Sequence, residues 1–339
     1  MNAQWEAALF AYDHVEVLRL VRSMPIAILN ARDVVGFTPL LLAIEYGWRE
    51  VVGALLTRGV DIDVHHPYAY DTPLVLAARR GWDAECVQIL AGGTPGDGGV
   101  ALRAAAGCGH ASTCAVLLGA GVDVESVNGV GRSALMVAVQ GGHSGVAELL
   151  IEAGADPRAT TLYGSTPLHF ATTPEVVRLL VGRGADVNSR GSDERTPLMS
   201  VASLNGVLRN TILALLQAGA DPLLADVDGD TVFELHWLRD EALYELVRYG
   251  VEPSPNSSLF RNMKRNTRER LRAARADREA DIQERNTIRR CFAEFVMGAK
   301  RPPTLTTRRP MLPHELTTRI GLECEKGLSW GYYTAEGGI

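Results

Sequence analysis

The segment FTPLLLAIEYGWREVVGALLTRGVDID, residues 37–63, has the pattern of two short helices separated by a glycine turn. Thr38 can cap exposed N–H groups, and Pro39 suits the first helical position because it has no N–H to leave unpaired. Gly47 and Gly59 stand where the two helices end, at positions that need a left-handed backbone. The segment therefore predicts a helix–turn–helix unit that closes with a polar, Asp-rich turn.

This unit recurs along the chain. Its opening Thr-type position falls at residues 38, 72, 100, 133, 166, 196 and 231, a period of about 33 residues. A single unit cannot bury its own apolar face, so neighbouring units must stack into a solenoid. Two units depart from the pattern. The glycine-rich residues 91–99 predict a shortened connection before the third unit, and the fifth unit lacks the glycine turn, which predicts a short first helix.

The repeated units resemble ankyrin repeats over about residues 5–253. The full TPLH signature occurs at residues 166–169, TPL recurs at 38, 72 and 196, and GAD or GVD closes most units. The resemblance implies an all-α fold, an ankyrin-repeat solenoid of about seven helix–turn–helix repeats with short hairpin fingers. A helical C-terminal arm is expected to follow the solenoid.

The distribution of charge supports a division of the chain into segments with different tasks. Residues 1–259 carry 17 basic and 30 acidic side chains, whereas residues 260–309 carry 15 basic and 6 acidic ones. We expect five regions: N-terminal capping helices at 1–36, the solenoid at 37–253, a charged basic helical region at 254–298, a Pro-rich linker at 299–310 and a short tail at 311–339.

The sequence contains few features that indicate catalysis or metal binding. It contains no P-loop, nucleophile elbow or zinc-protease motif, so we expect no enzyme activity, no catalytic residue, no cofactor and no metal site. His110, His143 and His169 occupy positions where ankyrin repeats use histidine as a structural hydrogen-bonding group. The doublet His65–His66 is interpreted as part of a solvated finger loop. The five scattered cysteines predict reduced, mostly buried thiols in an intracellular, cytoplasmic protein without signal peptide or membrane span, with the nucleus as an alternative.

We therefore expect the repeats to bind a protein client on the concave face, where ankyrin fingers and the exposed side of each first helix usually make contact. Exposed aromatic and arginine side chains are typical of binding hot spots. Trp48 and Trp82, which replace the consensus histidine, either belong to this surface or pack between repeats. The acidic solenoid disfavours nucleic acid as its ligand. The candidate contact residues are Val35, Phe37, Tyr46, Trp48, Tyr70, Arg79, Arg80, Trp82, Leu162, Tyr163 and Arg195.

The basic residues 261–290 leave two readings open. They can form a solvated charged helix that bridges two parts of the chain, or they can associate with nucleic acid. Acidic residues are interleaved and the basic middle has no aromatic residues, which favours the bridge.

The tail resembles the opening of an F-box-like segment, as in ankyrin/F-box proteins of large DNA viruses. The residues that carry this resemblance are Leu312, Pro313, Glu315, Leu316 and Ile320. It implies docking on an Skp-type adaptor of a cullin–RING ubiquitin ligase, and hence a substrate-recognition adaptor. A SOCS-box-like tail is a competing interpretation, although its usual Leu-Cys-Arg opening is missing. A further alternative is a structural or inhibitory ankyrin protein whose tail only caps the solenoid.

Overall fold

The computed structural model describes residues 13–68, 71–93, 96–204, 209–233, 240–251 and 265–296. The chain divides into two compact units, Met1–Ala274 and Arg275–Ile339. Regular secondary structure in the described ranges is entirely helical, and none of these helices is long and apolar enough to cross a membrane.

The first unit is a series of short helices that follow one another in pairs. A capping pair comes first, and repeats 1 to 7 follow; in repeat 5 a 3₁₀ helix replaces the first α-helix, and in repeat 7 only the second helix is described. The helices are α1 (His14–Ser23), α2 (Ile26–Leu29), α3 (Pro39–Glu45), α4 (Arg49–Thr57), α5 (Pro73–Arg79), α6 (Asp83–Ala91), α7 (Gly98–Cys108), α8 (Ala111–Gly119), α9 (Ala134–Gly141), α10 (Ser144–Glu152), the 3₁₀ helix Pro167–Phe170, α11 (Pro174–Gly182), a second 3₁₀ turn Ser192–Glu194, α12 (Pro197–Ser203), α13 (Arg209–Gln217), α14 (Asp240–Tyr249) and α15 (Arg265–Val296).

Each first helix begins with the capping chemistry that the sequence predicts. The hydroxyl oxygens of Thr38 and Thr72 each accept the N–H three residues on at 3.4 Å, and Thr196 does the same at 3.3 Å. At the other end of the helices, Gly47 and Gly59 adopt φ of +76° and +72°, which a residue with a Cβ disfavours. The predicted helix boundaries are therefore confirmed by their local causes.

The two departures from the repeat pattern also take the predicted form. Only six residues separate the end of α6 from the start of α7, and the last of them, Asp97, lies at the N-cap of α7 and accepts a hydrogen bond from Thr72 Oγ1. In repeat 5 the first helix is only the four-residue 3₁₀ helix Pro167–Phe170.

The apolar core runs along the helix pairs of the first unit. One cluster of buried side chains fills the N-terminal pair and repeat 1, and a second extends from repeat 2 through repeat 7. The half-buried Trp82 packs against both clusters, and Trp48 packs against the first. Small residues such as Ala105 and Ala138 are fully buried in the second cluster, as close approach of neighbouring first helices requires.

In the second unit the described residues are 275–296, which continue helix α15. Their described side chains, 275–287, are exposed or half-buried. The apolar side chains Ile288, Phe292, Phe295 and Val296, which the sequence suggested as a docking stripe, are not among those described.

Candidate protein-interaction surface

Hairpin fingers lead into most of the repeats, and each is closed by one backbone hydrogen bond. In the finger before repeat 1, Asp33 N–H donates to Phe37 O at 2.8 Å, and Asp33 Oδ1 accepts the N–H groups of Val35, Gly36 and Phe37 at 2.9, 2.7 and 2.8 Å. Such side-chain acceptors fix a tight turn without a helix or sheet. Corresponding closures define the fingers at residues 66–71, 128–132, 161–165, 191–195 and 226–230.

Apolar side chains that face solvent occur on five of these six fingers; the finger at residues 191–195 carries none. Val34 is fully exposed, and Leu162 and Tyr163 are 75% and 64% exposed. A single exposed apolar residue needs no explanation, but here such residues recur on equivalent loops of several units. We call this series the fingertip row; its members are Val34, Val35, Tyr68, Val130, Leu162, Tyr163 and Val227.

Neighbouring fingers are joined by backbone hydrogen bonds. Leu162 N–H donates to Val130 O at 3.1 Å, and Val227 N–H donates to Asp193 O at 3.0 Å. The tips of the fingers before repeats 4 and 5 are thus fixed relative to each other, as are those before repeats 6 and 7. A surface that is already ordered loses less conformational entropy on binding.

The three predicted structural histidines support the fingers and turns. His110 Nε2 lies 3.1 Å from Arg79 O, and His143 Nε2 lies 3.0 Å from Gly107 O. His169 is buried: its Nδ1 accepts Thr166 N–H at 3.0 Å, so the proton lies on Nε2, which donates to Arg195 O at 2.9 Å. Burial lowers the pKa of His169. The interpretation of these residues as hydrogen-bonding groups is confirmed.

Repeats 1 and 2 place several predicted contact residues side by side. The rings of Tyr46 and Trp48 lie 5.1 Å apart, and the guanidinium of Arg80 lies 5.8 Å from the ring of Trp82. Tyr46 is exposed, whereas the other three are half-buried. Both tryptophans therefore pack on the core, as the second of the two alternatives predicts, and their part in a contact surface stays a prediction.

Two of the arginines in this part of the surface are paired with carboxylates. Arg79 forms an ion pair with Asp71 at 2.9 Å, and Arg80 forms one with Glu45 at 2.8 Å. Such pairs fix the direction of the side chains and reduce the net charge of the surface. Their net contribution to stability is small where the groups are solvated.

The interpretation of His66 as part of a solvated loop is wrong. His66 is buried, its Nε2 lies 3.3 Å from Glu45 Oε1, and its ring meets the half-buried Phe37 edge-on at 4.9 Å. Phe37 and Tyr68 form an aromatic contact at 6.2 Å across the first two fingers. The cause is that the finger before repeat 2 folds against the preceding finger and helix, whereas His65 stays exposed.

The remaining predicted contact residues lie elsewhere. Leu162 and Tyr163 form the tip before repeat 5, and the half-buried Arg195 closes the next finger with Nε 3.5 Å from Asp226 Oδ2. Tyr70 and the tail residues Leu312, Pro313, Glu315, Leu316 and Ile320 lie outside the described residues.

The fingertip row includes members that sequence reasoning missed: Val34, Tyr68, Val130 and Val227. All four lie three to five residues before a repeat's opening Thr or Ser, so an alignment of the fingers on those anchors could have found them.

Within the described ranges, no group of three His, Cys, Asp or Glu side chains is placed to hold a metal ion. Cys86 and Cys114 are buried free thiols whose pKa burial raises to about 12, and Cys108 is an exposed free thiol.

Comparisons with known proteins agree with this architecture. A family model described as ankyrin repeats in three copies matches residues 102–191, and a single-repeat ankyrin model matches residues 35–64. The crystal structure of the ankyrin repeat domain of Bcl-3, a member of the IkappaB protein family, is 27% identical with a TM-score of 0.50, and the match covers 63% of this chain and 98% of that one. The human ASB11 ankyrin repeat domain is 23% identical with a TM-score of 0.52, covering 70% and 98%. The comparison with curated proteins finds no match.

The helix pairs and fingers form a helical solenoid that resembles solved ankyrin repeat domains, and the family models match ankyrin repeats at residues 35–64 and 102–191 within it. Solenoids of this class present extended surfaces to other macromolecules. The ankyrin repeats thus identify the chain as a protein–protein interaction scaffold.

Proposed function

We propose that this chain is a non-enzymatic scaffold that captures one protein client on the finger side of its solenoid. The observation that carries the proposal is the fingertip row, a series of exposed apolar side chains on hairpins that are closed and joined by backbone hydrogen bonds. Apolar anchors on a preordered frame are the features that concentrate binding energy at interfaces.

The aromatic residues of repeats 1 and 2 extend the same surface. Tyr46 projects an exposed ring beside Trp48, and the paired Arg79 and Arg80 border it. Aromatic and arginine side chains are enriched among hot-spot residues. The client would therefore contact both the fingertips and the ends of the first helices.

The test is affinity capture with matched surface variants. Wild type and Leu162→Asp/Tyr163→Asp are compared with Val15→Asp/Val87→Asp, a control that places the same charges on exposed apolar positions of α1 and α6. We expect one protein to be retained by wild type and by the control and lost from the fingertip variant. Equal retention by all three would contradict the proposal.

The finer part of the proposal concerns residues 311–339. Their similarity to an F-box-like opening supports a substrate-recognition adaptor for a cullin–RING ubiquitin ligase, in which Leu312, Leu316 and Ile320 form the docking stripe. Wild type should then retain an Skp-type adaptor, and Leu316→Asp/Ile320→Asp should not. If neither retains it, the chain is a binding protein without a ligase link.

We place this activity inside the cell. The supporting observation is that Cys86, Cys108 and Cys114 are free thiols, as expected of a protein in a reducing compartment.

A further inference from the structure

Two arginines in the middle of the solenoid are half-buried and held by neutral groups. Arg103 Nη1 donates to Ser126 O at 3.0 Å and to Ser126 Oγ at 3.2 Å. Arg132 Nη2 donates to Gln140 Oε1 at 2.5 Å, and its guanidinium lies 4.6 Å from the centre of the Phe170 ring. Among the described residues, neither arginine has a carboxylate within ion-pair distance.

Both guanidiniums are half-buried and keep unused donors. A guanidinium offers five N–H groups, and those of Arg132 include a buried Nε–H that has no acceptor. Burial lowers the pKa of both arginines, because the cations lose hydration that nothing in the described chain replaces. The neutral partners Ser126 and Gln140 fix the direction of each guanidinium without neutralising its charge.

The two arginines are connected through adjoining faces of α7 and α9. Arg103 and Gly107 are four residues apart on α7, and Val137 and Gln140 are three apart on α9, so each pair shares one helix face. The two faces adjoin, since a Cβ on Gly107 would lie 2.8 Å from Val137 Cγ1. We call this region the arginine trough; it consists of Arg103, Gly107, Arg132, Val137 and Gln140.

We propose that the arginine trough binds two carboxylates of an acidic segment in the client, one at Arg103 and one at Arg132. This inference rests on the proposed function, because it names the chemistry of the client. Each guanidinium is held by a different neutral residue, Ser126 for Arg103 and Gln140 for Arg132, so each is expected to take a carboxylate of its own.

The recognition is short-range. Residues 1–259 carry 30 acidic against 17 basic side chains, so the solenoid as a whole does not attract an acidic client from a distance. Affinity must come from direct hydrogen bonds in a partly desolvated site, where arginine–carboxylate contacts are strongest.

The test measures binding of a fluorescein-labelled peptide of repeating Glu-Ser-Gly units to the full chain by anisotropy. The matched peptides replace Glu by Gln, or carry phosphoserine with Gln in place of Glu. The protein variants are Arg103→Gln/Arg132→Gln and the charge-matched control Arg19→Gln/Arg178→Gln, which alters exposed arginines on α1 and α11.

We expect the Glu peptide to bind wild type and the control variant equally and the trough variant at least tenfold more weakly. The Gln peptide should not bind. The midpoint of urea unfolding of the trough variant should equal that of wild type, which separates lost binding from lost folding.

Three outcomes would each overturn the inference: no binding of the Glu peptide to wild type, equal weakening in the control variant, or tighter binding of the phosphoserine peptide. The proposed function fails separately, when Leu162→Asp/Tyr163→Asp retains the client as wild type does. If that variant loses the client and the Glu peptide does not bind, the scaffold function stands and only the acidic chemistry of the client is wrong.

Discussion

His169 offers a quantitative test of how the solenoid holds its fingers. The ring is 4% exposed and bridges two backbone groups, Thr166 N–H and Arg195 O, so it ties the 3₁₀ helix of repeat 5 to the finger before repeat 6. The change His169→Gln removes a titrating group but preserves some hydrogen-bonding capacity. A glutamine side chain cannot accept and donate at both positions of the rigid ring, so one buried backbone group loses its partner.

The expected loss at pH 7.5 follows from that unpaired group. Leaving a buried donor or acceptor unsatisfied costs about 1–3 kcal/mol in the free energy of unfolding. The variant should therefore be less stable by that amount at pH 7.5, where the His169 ring is neutral.

The difference in unfolding free energy between wild type and His169→Gln, here called the gap, should narrow as the pH falls. Because burial lowers the pKa of His169 below the ordinary histidine value of about 6.5, the unfolded chain takes up the proton at a higher pH than the folded protein does. Wild type therefore loses stability as the pH falls below 6.5, and the loss ends at the lower folded pKa. At pH 5.5 the loss reaches at most about 1.4 kcal/mol, and His169→Gln does not incur it.

Urea unfolding followed by circular dichroism at pH 7.5 and 5.5 measures both gaps. Thr196→Ala is the control, because it removes a helix cap worth about 1 kcal/mol without a titrating group, so its gap from wild type should not change with pH. A His169→Gln gap that is unchanged or wider at pH 5.5 would refute the neutral, buried ring.

Two further predictions concern the contacts between neighbouring fingers and the reactivity of the thiols. Gly131→Ala should lower the free energy of unfolding by about 1–2 kcal/mol because the backbone there is left-handed, and further because the new Cβ would lie 2.8 Å from the backbone nitrogen of the next fingertip. Gly145→Ala, at a helical position with no atom within 4 Å, should raise the free energy of unfolding by up to about 1 kcal/mol. Urea unfolding checks both. Iodoacetamide at pH 8 should modify Cys108 and spare Cys86 and Cys114, whose pKa of about 12 keeps them protonated; mass spectrometry maps the sites, and modification of the buried pair in the folded protein would contradict their burial.

The features that the sequence predicts well are those with local causes. Thr38 caps its helix and Gly47 ends it because of interactions within a few residues, so the repeat pattern suffices to place them. The short first helix of repeat 5 follows from the missing glycine turn in the same way.

Features that depend on contacts with a neighbouring repeat could not be predicted from the sequence. His66 is buried because Glu45 and Phe37 of the preceding repeat lie against it, and nothing in the residues around position 66 indicates that contact. Likewise, the residues around Arg79 and around Arg103 do not indicate what either side chain contacts. Only the folded chain shows that one meets a carboxylate and the other a serine.

Asp71 and Asp226 neutralise Arg79 and Arg195, whereas Arg103 and Arg132 meet only neutral groups among the described residues. In repeats 3 to 5 the neutral residues Ser126 and Gln140 stand beside the arginines in the place of such acids. A desolvated cation held by neutral groups does little for folding, but it leaves an oriented charge for a carboxylate that arrives from outside. The client's acidic residues are therefore expected to contact Arg103 and Arg132.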